Sequence, residues 1–173
     1  METYTAKIEN LLAEAFCYPG PEQINFLEKG LEILPASPQK NFLVAFLKKI
    51  SPLSLGAWEE LYTRTLDLNP PSAPYIGFQT WGESYQRGVF LSKMNRELLE
   101  SGIDLQGELP DHLIPVLRYL GRVPQPMPEL IEVLGPAIKR MTEGLRKADP
   151  GNPYLDLLEA VQSLYNALEK EPQ

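Results

Sequence analysis

The stretch Met127–Leu168, MPELIEVLGPAIKRMTEGLRKADPGNPYLDLLEAVQSLYNAL, decides the fold class. Met127, Leu130, Ile131, Leu134, Ile138, Met141 and Leu145 recur at intervals of three and four. Tyr154, Leu157, Leu158, Val161, Leu164, Tyr165 and Leu168 repeat the pattern. At 3.6 residues per turn such spacing lays each set along one stripe of a helix, whereas a half-buried strand needs alternation. Two long helices, each with one apolar face, require further helices or a sheet to cover them.

The rest of the chain supplies helices. Tyr4, Ile8, Leu11, Leu12, Ala15 and Phe16 form one stripe, and Ile24, Leu27, Leu31 and Leu34 a second. Phe42, Leu43, Phe46, Leu47 and Ile50 form a third, and Leu55, Trp58, Leu61, Tyr62 and Thr65 a fourth. Phe90, Met94 and Leu98 share a face, as do Leu113, Val116, Leu117 and Leu120. No strand-like alternation occurs. The reading is an all-α protein, a single-domain helical bundle of seven to eight helices with residues 1–173 as one domain.

Prolines mark the joints. Ser37-Pro38 and Asn152-Pro153 each read as an N-cap followed by proline at the first helical position. Pro115 is tolerated if its helix starts within the few residues before it. Gly30 weakens the second helix by roughly 1 kcal/mol relative to alanine. Two stretches resist a helical reading: residues 67–82, DLNPPSAPYIGFQTWG, with three prolines, two glycines and exposed-looking aromatics, and residues 101–111, SGIDLQGELPD. Long irregular segments in a compact domain are often functional.

The 173 residues include 23 acidic and 16 basic side chains, a net charge of −7. Without a concentrated basic face, a general affinity for nucleic acid is not expected, and an acidic surface suits a basic partner. Cys17 is the only cysteine and His112 the only histidine, so neither a disulfide nor a Cys/His zinc site is expected. Beside Phe16 and Tyr18, Cys17 reads as a buried core thiol rather than a reactive one. The N-terminus is amphipathic and acidic, unlike a secretion signal, and no apolar run approaches the ~20 residues of a membrane helix. A soluble, cytoplasmic protein without stable membrane insertion is expected. No phosphate loop, nucleophile elbow or dinucleotide-binding turn occurs, so no enzymatic activity, metal or cofactor is expected.

Three motifs border the irregular stretches. Glu60-Leu61-Tyr62, continuing to Leu66-Asp67-Leu68, leads into the proline-rich loop. Gln86-Arg87-Gly88 opens the next helix. Gly107-Glu108-Leu109-Pro110-Asp111-His112-Leu113 opens another.

Together, EELYTRTLDL, SYQRGVFLSKM, GELPDHLIPVLRYL and the opening LLAEAFCYPG resemble the NarJ group, the nitrate-reductase delta-subunit branch of the TorD-like chaperones. The resemblance runs from about residue 8 to residue 168. Leu66 stands where the family usually has phenylalanine, Arg118 where it has glutamate, and Ile114 adds one residue before Pro115. The resemblance implies a TorD-like helical fold and a system-specific chaperone. Its partner would be the apo catalytic subunit of a molybdopterin-containing oxidoreductase of the nitrate-reductase type. It would be held by its N-terminal, signal-like segment until molybdenum cofactor is inserted. Relatives include monomers and helix-swapped dimers. The alternatives are a chaperone for another DMSO-reductase-family enzyme, a generic helical adaptor, or a nucleotide-binding protein.

Residue by residue, a peptide groove between helices with an acidic rim fits such a partner. Glu60, Asp67, Glu108 and Asp111 are candidates for the rim, and Arg87, Pro110 and His112, in the same motifs, are further candidates for contact with the client peptide. Tyr62, Tyr75, Phe78 and Trp81 are candidates for aromatic contact surface. Each has a competing role. Asp111 reads equally as the cap of the helix after Pro110, Glu108 as a helix-start charge, and Tyr62 as core. Arg87 reads as a salt bridge tying the first motif to the third, and His112 as a structural or pH-sensitive helix-start residue.

Overall fold

The computed structural model describes residues 7–170; Tyr4, placed on the first stripe, lies outside them. Nine α-helices occur among these residues: α1 (Ile8–Ala15), α2 (Gln23–Ile33), α3 (Pro38–Ile50), α4 (Leu55–Tyr62), α5 (Ile76–Trp81), α6 (Tyr85–Glu100), α7 (Leu113–Arg122), α8 (Pro128–Ala148) and α9 (Tyr154–Lys170). The all-helical expectation holds; the count of seven to eight is corrected to nine.

The difference lies largely in residues 67–82. After α4 the chain makes a π-helical turn over Thr63–Asp67, a 3₁₀ turn at Pro70–Ser72 and then the six-residue helix α5. Pro70, Pro71 and Pro74 forbid one continuous helix, which is why the sequence reads as loop. From Tyr75 onward no proline intervenes. A helix so short and poor in strong formers is held by tertiary packing, here against α6 and α8. Residues 101–111 stay irregular, with positive φ at Gly102, Gln106 and Gly107. The only β pairing among the described residues is an isolated antiparallel bridge between Tyr75 and His112.

The core collects the expected stripes. α9 packs against α3 and α8, and α1 packs against α7. Leu27, Leu43, Phe46, Met94, Leu117, Ile138, Tyr154 and Leu158 are all buried. Leu55 departs from its stripe and is exposed, because it opens the first turn of α4 beyond the core's edge. Gly30, a weak helix residue, has a packing reason: a Cβ there would run into the Leu11 side chain of α1. Among the described residues no helix is long and apolar enough to cross a membrane.

The proposed helix starts are built as the sequence suggests. Ser37 accepts a hydrogen bond from the Lys40 amide at 3.0 Å, with Pro38 in the first turn of α3. Pro115 sits in the first turn of α7. Asn152 accepts from the Tyr154 amide at 2.9 Å and donates from Nδ2 to Thr65 Oγ1 at 2.8 Å, joining the start of α9 to the π turn. Asn152→Ala is expected to lower stability by about 2 kcal/mol, since it removes a cap and orphans a buried partner. A urea titration followed by circular dichroism checks this: the midpoint falls at unchanged slope.

Candidate functional site

The two irregular stretches meet. The Ile76 amide donates to the Asp111 carbonyl at 3.0 Å, and the Leu113 amide donates to the Pro74 carbonyl at 2.9 Å. These bonds form the Tyr75–His112 bridge. A turn with Pro110 at its second position, closed by the His112 amide donating to Leu109 O at 3.0 Å, aims the following residues inward.

Asp111 is 0 % exposed. Its carboxylate accepts from the Gly77 amide at 3.1 Å, from Arg87 Nε at 3.0 Å and from Arg87 Nη2 at 3.3 Å. It therefore caps α5, whose own N-cap position, Tyr75, offers no side-chain cap. Both sequence readings of Asp111 are corrected: it is neither on a groove rim nor the cap of α7. Gly77 is glycine for the same reason, because a Cβ would collide with the Asp111 carboxylate.

Arg87 is 7 % exposed and also bonds Glu83, four residues earlier and just ahead of α6, at 2.8 Å. Its guanidinium lies 5.7 Å from the Tyr75 ring centre and 5.6 Å from that of Phe78. A flat cation between rings with its edge on a carboxylate is an arrangement lysine cannot reproduce. Arg87 thus ties the third motif to α5 and α6, as the sequence suggested for its far end. It makes no ion pair with the first motif, which corrects the other half of that expectation.

His112 is 3 % exposed and caps α7, its Nδ1 accepting from the Ile114 amide at 3.1 Å. Accepting at Nδ1 places the proton on Nε2, which lies 3.7 Å from Glu108 Oε2. Burial lowers the imidazole pKa to about 4, so the ring is neutral and the Glu108 contact is no ion pair. The unfolded state takes up the proton first as pH falls. This contribution is therefore complete above about pH 6.5 and is lost between about 6.5 and 4, amounting to a few kcal/mol at most. His112→Asn is expected to flatten that part of the stability–pH curve, measured by urea titrations at stepped pH.

Beside this clasp lies an acidic, aromatic face. Burial raises the pKa of Glu108, and the nearby charge of Asp67 raises it further; burial also raises that of Asp67. Asp67 has no cationic partner among the described residues, and Glu108 has only the neutral His112. Arg118 is engaged by other groups, Glu14 at 3.3 Å and Gln106 at 3.0 Å. Tyr62 is 6 % exposed, yet its hydroxyl has no hydrogen-bond partner among the described residues. Burial raises its pKa, with further upward pushes from Asp67, Glu108, Cys17 and Tyr75. Burial likewise raises the Tyr75 pKa, Glu108, Asp111 and Asp67 push it the same way, and Arg87 opposes them. Leu68 and Leu109, next in sequence to the two carboxylates, are exposed.

Of the expected contact residues, the fold brings together Tyr62, Asp67, Tyr75 and Glu108. Glu60 is exposed and takes no part in these contacts. Tyr62 is both core and site, edge-on to Tyr154 at 6.1 Å. Phe78 and Trp81 are half-buried rather than free in a loop, on Arg87 and on Phe90 (5.3 Å) respectively. Glu108 lies four residues before the His112 cap, outside the first turn of α7, so it is no helix-start charge. Cys17 is half-buried rather than buried; burial raises its thiol pKa to about 11, which keeps it protonated. Sequence reasoning missed Tyr18, which stacks edge-on against Tyr62 at 5.3 Å and donates to Glu59 at 2.8 Å. The Tyr18-Pro19 pair closing the first helix was the available signal.

Compared with known proteins, the chain matches no family model, and no curated protein is significantly similar to it.

Proposed function

We propose that this protein is a cytoplasmic assembly chaperone that binds a basic, signal-like N-terminal segment of a molybdopterin-containing catalytic subunit, of the nitrate-reductase type, while cofactor is inserted. The observation that carries the reading is a pair of carboxylates, Asp67 and Glu108, near enough for the Asp67 charge to raise the Glu108 pKa, with no charged cationic partner for either among the described residues and with Tyr62 and Tyr75 within reach of both charges. Like charges brought together and partly desolvated are unfavourable in the free protein, and an arginine or lysine from outside relieves that. The exposed Tyr18 offers a ring to a guanidinium, and the Tyr62 hydroxyl, without a hydrogen-bond partner among the described residues, offers an acceptor. Exposed Leu68 and Leu109 add apolar contact beside the charges, which suits a polypeptide better than a free cation. A nucleotide is disfavoured, since its phosphates would meet two unpaired carboxylates. The motif resemblance supplies the identity of the client, and the acidic face supplies a physical means of holding it.

A tagged pull-down from the native host grown anaerobically, read by mass spectrometry, tests the reading. A molybdopterin-type catalytic subunit is expected among the enriched proteins, and is expected to disappear when Asp67 and Glu108 are both neutralised. Enrichment of none of that class overturns the reading and leaves a general helical adaptor.

A further inference from the structure

We propose that Arg87 is the positioning residue of this binding face: it makes no contact with the bound segment and acts by holding Tyr75 and the Glu108–His112 loop in register. The inference rests on the reading above. Of the four residues the fold gathers, Tyr75 and Glu108 lie in irregular stretches and Asp67 ends the π turn, so no shared ladder sets their geometry relative to one another. What joins those stretches is small: two backbone hydrogen bonds at the Tyr75–His112 bridge and the bonds made by Asp111. Arg87 provides two of the three hydrogen bonds to that carboxylate. It also faces the Tyr75 ring on one contact and the Phe78 ring on another, so the tyrosine that looks toward Glu108 and Asp67 is held through the same guanidinium. Glu83, largely exposed, fixes the remaining Nη1.

The geometry separates Arg87 from the ligand. The guanidinium is buried, makes three hydrogen bonds to two carboxylates and, being a cation itself, offers an incoming cation no favourable contact. Loss of its planar fork instead lets the Pro110–His112 turn and Tyr75 relax relative to Asp67 on the π turn. A misplacement of about 1 Å is enough to weaken a charge-assisted contact whose strength depends on donor–acceptor distance and direction.

The test compares Arg87→Lys with the double variant Asp67→Asn/Glu108→Gln. The probe is a synthetic alanine–leucine peptide carrying two adjacent arginines, with affinity measured by calorimetry well below each variant's melting temperature. The position of the His112 ring signals in NMR spectra reports the loop. Arg87→Lys is expected to bind roughly tenfold more weakly while still folded, with the His112 signals displaced. The double variant is expected to lose binding with the His112 signals in place apart from the local effect of Glu108. An Arg87→Lys protein that melts lower but binds with unchanged affinity overturns the inference and leaves the binding face intact. Failure of the wild type to bind the peptide, or undiminished binding by the double variant, overturns the functional reading itself.

Discussion

Replacing Asp111 by alanine is expected to lower the free energy of unfolding by about 3–5 kcal/mol, the range for removing one partner of a buried ion pair. The substitution leaves the Arg87 guanidinium with only the largely exposed Glu83, and leaves Nε and Nη2 without acceptors inside the protein. It also orphans the Gly77 amide at the start of α5, itself a penalty of about 1–3 kcal/mol that is part of the same total. For a chain of this size the loss corresponds to a fall in melting temperature of roughly 10 °C. Thermal and urea unfolding, followed by far-ultraviolet circular dichroism, measure it; a loss below about 1 kcal/mol would contradict the clasp described above. The same physics sets the sign of the double variant. Removing both charges as Arg87→Met/Asp111→Leu removes the uncompensated cation, so it is expected to be less destabilising than Asp111→Ala alone.

How far the sequence could be read follows from the same residues. The stripes of α3, α6, α7, α8 and α9 were legible because burial of one face imposes a spacing that any residue order must show. α5 was not legible: six residues after a run of prolines carry too little periodicity, and packing on α6 and α8 rather than local propensity makes them helical. Asp111 was misplaced for a related reason. Its neighbour Pro110 and the following apolar run give a strong local signal for a cap, but its partners lie 24 and 34 residues away in sequence, at Arg87 and Gly77. His112 takes the capping role instead. Asp67 and Glu108 were both named from motifs, yet their closeness comes from the π turn and from the Tyr75–His112 bridge, neither of which has a sequence signature. Tyr18 escaped because nothing local links the end of α1 to the middle of a motif more than forty residues on.

Reversing the two charges, as Asp67→Lys/Glu108→Lys, is expected to weaken binding of the basic segment by at least about 100-fold, while the protein stays as stable as the wild type or becomes more so. Both carboxylates have raised pKa values in the folded chain. A raised carboxylate pKa means that the ionised form is less favoured in the folded than in the unfolded state. The pair therefore works against folding, increasingly so as pH rises through the carboxylate range. Neither Asp67 nor Glu108 donates to or accepts from another described side chain in a hydrogen bond that the substitution would break, and Asp67 is exposed. The neutral pair Asp67→Asn/Glu108→Gln isolates the sign: it removes the repulsion without adding a new one, so its stability at neutral pH is expected to equal or exceed that of the wild type. Two lost charge-assisted contacts of about 1.5 kcal/mol or more each already account for a factor near 100, and lysines add repulsion to it. A residue pair kept for folding loses stability when neutralised; a pair kept for a ligand loses affinity and keeps or gains stability. Calorimetric titration with the arginine peptide, set beside urea unfolding of the same three proteins, therefore separates the two origins in one experiment. Parallel loss of stability and affinity would place Asp67 and Glu108 with Asp111, among the groups that hold the fold.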